Sequence, residues 1–135
     1  MIEPVIVVML LTFVVWLFLF SKRMPFILSM DASSRDLSPA ELARRAPPSV
    51  RNPSDNLKNL FELPVLFYAL SVLIYILDLT DGVFMVLAWV FAVFRILHSA
   101  MHCTANVIQV RFAVYQVSAI ALWAMLLRFT ALQLF

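Results

Sequence analysis

The stretch Ile2–Phe20, IEPVIVVMLLTFVVWLFLF, decides the fold: its one charge is Glu3, and only Pro4 and Thr12 interrupt an otherwise apolar run. About 20 such residues in a helix cross a hydrocarbon core of about 30 Å. A secretory signal opens on basic residues, has a shorter apolar stretch and ends on an A-x-A-like site, none of which is present here. The stretch is therefore expected to be a retained spanning helix. The remainder of the 135 residues carries the same character, being 64% hydrophobic overall with one glycine, far from the roughly half-apolar norm of soluble domains. Apolar runs at about 4–20, 60–79, 83–102 and 111–133 read as four spans. They do not alternate apolar and polar residues, which excludes a transmembrane barrel. The expectation is an all-α integral membrane four-helix bundle of up-down topology, forming one domain over residues 1–135.

Charge fixes an orientation. The net charge of +2 is too small to argue for nucleic acid, but seven of the ten cations, Lys22, Arg23, Arg35, Arg44, Arg45, Arg51 and Lys58, fall in the polar segment 21–58. The bias of Lys and Arg toward cytoplasmic loops puts this segment in the cytoplasm. The turn LDLTDGV, residues 77–83, holds Asp78 and Asp81 without a cation and suits the opposite side. Without a targeting signal, the expected location is a bacterial inner membrane. Inside the loop, Ser38, Pro39 and Glu41 form a helix-start pattern, and Asn52, Pro53 and Asp55 form another. Pro64 removes a backbone donor and should kink the second span near the basic face.

Polar residues then recur at helical spacing. Asp55, Asn59 and Glu62 stripe the entry of the second span, Arg95, His98 and His102 the exit of the third, and Arg111, Tyr115 and Ser118 the entry of the fourth. All three stripes lie at one depth, where a charge facing lipid costs roughly 2.5–3.5 kcal/mol. They are expected to converge on a polar pocket in which Glu62 pairs with Arg95 and Arg111 is left to meet an anion. Other polar residues read more simply: Arg128 as a cation reaching headgroups, Asp78 and Asp81 as turn residues, and Cys103 as packing. Because Cys103 is the sole cysteine, intrachain disulfides and CxxC sites are excluded. His98 and His102 lack a third ligand, so no metal is expected.

At NLFELPVLFYAL (59–70) and RILHSAMHCTANVIQVR (95–111) the chain resembles the MAPEG family, membrane-associated proteins in eicosanoid and glutathione metabolism. The shared features are an asparagine three residues before a glutamate (Asn59, Glu62), an arginine three before a histidine (Arg95, His98), a second arginine, Arg111, and a tyrosine four residues later, Tyr115. The resemblance implies a homotrimer holding glutathione between protomers near the cytoplasmic side, with Asn59, Glu62, Arg95, His98 and Tyr115 as binding residues. It implies Arg111 as the group that stabilises the glutathione thiolate. Three positions depart from the pattern: His102 stands where the family synthases carry tyrosine, Phe112 where a small hydroxylic residue follows the second arginine, and Pro64 lies closer to Glu62 than in the synthases.

Carboxylates of glutathione suit guanidinium forks such as Arg95, with Lys58 at the rim. The expected function is a membrane-bound glutathione-dependent transferase or peroxidase acting on hydrophobic electrophiles or lipid hydroperoxides that arrive from the bilayer. A non-catalytic pocket for another anion or a lipid headgroup is the alternative. A small drug exporter is disfavoured by the single glycine and by the cations near Glu62.

Overall fold

The computed structural model describes residues 1–31 and 37–134. Arg35, counted among the loop cations above, lies outside them. Among the described residues six helices follow one another: α1 (Ile2–Leu28), α2 (Pro39–Arg45), α3 (Pro48–Leu60), α4 (Leu63–Ile76), α5 (Gly82–Cys103) and α6 (Ile108–Leu134). Four units are long and apolar enough to cross a membrane, namely α1, residues 48–76 as α3 with α4, α5, and α6. The helices outrun the expected spans at the basic face. At about 1.5 Å per residue the last turns of α1 stand beyond a hydrocarbon core of about 30 Å.

The polar segment is partly ordered by its own side chains. Ser38 and Glu41 close a reciprocal cap on α2: the Glu41 amide donates to Ser38 Oγ at 3.3 Å, and the Ser38 amide donates to Glu41 Oε2 at 2.9 Å. The Ser38 hydroxyl and amide hold the Glu41 carboxyl below its ordinary range. The expected start of the next helix at Asn52 is corrected: α3 opens at Pro48 with Pro47 as its cap, and Pro53 lies inside it, buried. Two consecutive prolines preset the backbone φ that a first turn needs, so nucleation falls there, one turn earlier than the Asn-Pro pair.

Pro64 does more than kink its span. The α3 helix stops at Leu60, where the Phe61 amide turns back to the Lys58 carbonyl at 2.9 Å, and Glu62 sits between the helices at φ −98° and ψ −103°. Pro64 then occupies the first turn of α4, the place where a missing N–H costs least.

The hydrocarbon core is assembled from Val8 of α1, Phe67 and Ile74 of α4, Phe84, Ala88 and Phe91 of α5, and Leu122 and Met125 of α6, all fully enclosed. The Phe67 and Phe91 rings stack at 4.3 Å between centroids. α5 packs chiefly on α6, while α1 lies against α3, α4 and α5. A belt of exposed apolar side chains, including Phe13, Trp16, Val86 and Ile120, covers the outside.

At the end opposite the loop cations, Asp81 is more than a turn residue. Its carboxylate accepts the Phe84 amide at 3.0 Å, capping α5, and receives both terminal nitrogens of Arg128 at 2.6 Å each. Arg128 is thus committed to α5 instead of reaching for headgroups, and its guanidinium lies 4.5 Å from the Phe84 ring centre. The Arg128 fork and the Phe84 amide hold the Asp81 carboxyl down to about 2. A carboxyl depressed in the folded state stabilises above its unfolded value and loses that contribution as pH falls through its folded value. We expect Asp81→Asn, which keeps a capping side chain, to melt below the parent at neutral pH, and Asp81→Ala to melt lower still. Parent and Asp81→Asn should converge as pH falls from about 4 toward about 2, read as melting temperature in detergent.

Candidate functional site

The basic ends of α3, α5 and α6 bring the polar residues together. Asn56 of α3 is wholly buried, accepting from the Ser99 hydroxyl at 3.3 Å and donating toward Cys103 Sγ at 3.4 Å. One turn on, the Asn59 amide lies 3.5 Å from His102 Nδ1. The hydrogen-bonding side chain of Asn56 thereby pins α3 to α5. Cys103, read as packing, is part of that joint.

Arg95 is the central side chain. It is 0% exposed, and its Nη2 donates to the Asn59 backbone carbonyl at 2.6 Å. A helix leaves its last carbonyls without intrahelical partners, and the break before Pro64 makes Asn59 one of these. Arg95 thus supplies from α5 the donor that the chain of α3 lacks, with its positive charge at the negative end of a helix. The Tyr115 and Phe91 rings flank the guanidinium at 5.3 and 5.7 Å. Its Nε and Nη1 are buried without a hydrogen-bond partner among the described residues.

The expected pairing of Glu62 with Arg95 does not form among the described residues. Glu62 is exposed in the hinge between α3 and α4, because the break that frees the Asn59 carbonyl also rotates Glu62 off the stripe shared by Asp55 and Asn59. Lys58 instead pairs with Asp55 at 2.9 Å, both at the surface.

His98, one turn past Arg95, is 4% exposed and contacts the Arg111 carbonyl through Nδ1 at 3.2 Å. A carbonyl only accepts, so the proton sits on Nδ1. Its Nε2 is buried without a partner among the described residues. The His98 ring leans on Tyr115 at 5.6 Å and meets the His102 ring edge-on at 5.5 Å. Among the described residues no three His, Cys, Asp or Glu side chains gather as metal ligands. Arg111 is half-buried and donates from Nη1 to Asn106 Oδ1 at 2.6 Å. Asn106 adopts φ 49° in the turn between α5 and α6, a left-handed conformation that asparagine tolerates. Ser118, the last member of its stripe, spends its hydroxyl on the Tyr115 carbonyl at 2.7 Å.

A cleft of about 180 Å³ opens among Asn59, His98, Ile108, Arg111, Phe112 and Tyr115. Asn59, His98, Arg111 and Tyr115 therefore share one cavity, with Arg95 enclosed behind Tyr115 and with Glu62 and Lys58 outside its wall. Sequence patterning missed Asn56 and Asn106. Neither stands out among the other loop and helix-entry polar residues, since what distinguishes them is burial and a left-handed turn.

Comparison with curated proteins and with solved structures finds no match. The sequence model of the MAPEG family, by contrast, matches residues 1–131, which takes in the first three spans, nearly all of the fourth and every residue of the cleft. With nearly the whole chain aligned and four apolar spanning helices in place, this multi-pass membrane protein belongs to the MAPEG family.

Proposed function

We propose that the protein is a glutathione-dependent transferase or peroxidase that presents a thiolate to hydrophobic electrophiles or lipid hydroperoxides from the bilayer. The observation that carries this reading is the buried Arg95 guanidinium, whose Nε and Nη1 have no partner among the described residues, packed behind a cleft that His98 and Arg111 line. Burying a cation with unmet donors is costly, at about 1–3 kcal/mol for each unsatisfied group. An anion seated at the cleft offsets that cost through the local field. Glutathione is such a ligand, with two carboxylates and a thiol that ionises.

Each residue has a role in this scheme. Arg111, held by Asn106, stabilises the sulfur as it gives up its proton. An adjacent fixed cation lowers a thiol pKa from its ordinary value of about 8.5. Asn59 and Tyr115 position the peptide, and Arg95 acts on it through Asn59 and Tyr115 rather than by contact. Exposed Glu62 meets the amino end, and Lys58, on leaving its surface pair with Asp55, meets a carboxylate end from outside the cleft wall. The bound sulfur then bonds to an electrophilic carbon as the leaving group departs, or to a peroxide oxygen as the O–O bond breaks. The second route releases the lipid alcohol and leaves a glutathione sulfenic acid, which a second glutathione converts to the disulfide and water.

The cleft also supports an oligomer. Pockets for small ligands typically measure about 300–1,000 Å³, whereas this one offers about 180 Å³. One protomer therefore holds part of a tripeptide, and a neighbouring copy completes the site, as in a homotrimer. The exposed Ile108 and Phe112 beside the cleft suit such a contact. The loop between α1 and α3 faces the cytoplasm in this scheme, and a bacterial inner membrane is the proposed location.

Isothermal titration calorimetry in nanodiscs tests the reading. Glutathione is expected to bind with micromolar to millimolar affinity, and S-methylglutathione, which cannot ionise at sulfur, more weakly. Absence of glutathione binding overturns it in favour of the second reading, a non-catalytic pocket for another anion, which buried Arg95 and half-buried Arg111 would serve equally.

A further inference from the structure

A second and larger cleft, about 320 Å³, lies at the basic end between the last turns of α1, the short helix α2 and the start of α3. Its size falls within the usual range for a ligand pocket, about 300–1,000 Å³. Its walls divide by chemistry. Arg23, Arg51 and Lys58 supply cations, while Phe26, Leu42 and Val50 supply an apolar floor. That floor continues into a small core of Leu19, Ala46 and Val50. The one acid in the wall among the described residues, Asp55, is already paired with Lys58. Arg23 and Arg51 enter no ion pair among the described residues.

The cleft also lies where headgroups lie. Arg23 and Phe26 follow the portion of α1 that fills the hydrocarbon core, so the opening sits at the level of phosphate groups. α2 needs a partner there: it is seven residues long and buries none of its side chains. A helix that short is not stable by itself.

We propose that this cleft holds one anionic phospholipid of the adjoining leaflet, its phosphate between Arg23 and Arg51 and the top of an acyl chain against Phe26, Leu42 and Val50. The occupant must combine both chemistries. A free anion leaves the apolar floor wet, and a zwitterionic lipid leaves the two arginines without net compensation. The bound lipid braces α2 against α1 and α3. The site shares no wall residue with the cleft lined by Arg111; Lys58, given a rim role toward glutathione above, is the one residue common to both readings, and the lipid phosphate is placed on Arg23 and Arg51 instead.

Native mass spectrometry of the full chain, released from detergent containing equal phosphatidylglycerol and phosphatidylcholine, tests it. The parent is expected to carry one phosphatidylglycerol per chain. The preference over phosphatidylcholine should fall by about fivefold for each arginine removed in Arg23→Gln and Arg51→Gln. Ala43 lines the cleft from the exposed side of α2, so Ala43→Trp fills it without disturbing the core. That variant should lose the lipid while retaining calorimetric glutathione binding. Equal retention of both lipids by the parent, an unchanged phosphatidylglycerol adduct in Ala43→Trp, or full displacement by inorganic phosphate would each overturn the proposal.

Discussion

Arg95→Ala is expected to destabilise the protein by about 2–4 kcal/mol, seen as a large fall in melting temperature in detergent, because it removes an enclosed side chain and leaves a cavity. It also strips the Asn59 carbonyl of its donor, and a lost bond to a charged group contributes about 1.5–3 kcal/mol of such losses. Arg95→Met is expected to behave differently. Methionine fills similar space and abolishes a buried cation whose Nε and Nη1 have no partner among the described residues, although it too leaves the Asn59 carbonyl without its donor. The methionine variant should therefore melt between the alanine variant and the parent while losing glutathione affinity by at least about tenfold, a change of about 1.4 kcal/mol. If methionine destabilises as much as alanine, the cation serves the fold alone. If affinity survives, Arg95 plays no part in the site.

Arg111→Ala is expected to cost about 10²–10³-fold in turnover with little change in stability, the range seen when one preorganised donor to a developing anion is removed. The side chain is half-buried and does not belong to the apolar core, so folding should tolerate its loss. Arg111→Lys keeps a charge but not the planar fork that reaches both Asn106 and a ligand, and should recover only part of the activity. Asn106→Ala should give a milder loss through misplacement of Arg111, raising KM and lowering kcat together, and restored by Asn106→Asp.

The spans were legible because lipid forces a crude rule: every backbone polar group must be satisfied within the helix and every outward side chain must be apolar. Long apolar runs admit one solution. The convergence of Arg95, His98 and Arg111 followed from helical spacing combined with the cost of charge in hydrocarbon. The detail that failed was the partner of Arg95. Patterning treated Asn59 and Glu62 as neighbours on one continuous helix and matched opposite charges across the interface. Pro64 instead ends α3, turns Glu62 outward, and leaves a carbonyl that a guanidinium satisfies at 2.6 Å. Spacing alone does not distinguish a kinked helix from a broken one. Nor did it show that Asp81 would draw Arg128 across from the final helix, since these residues are adjacent only after α5 and α6 have packed. The earlier start of α3 had a visible signal in Pro47-Pro48, which competed with the Asn-Pro pair downstream.

The most direct measurement is the ultraviolet thiolate band of glutathione titrated with pH on the intact protein in nanodiscs. The cationic end of α5 and α6 should hold the bound sulfur ionised at neutral pH, with an apparent pKa below the ordinary thiol value of about 8.5, and Arg111→Ala should return it to that value. Saturating glutathione that binds the parent protein and yet titrates as it does in free solution would contradict the account.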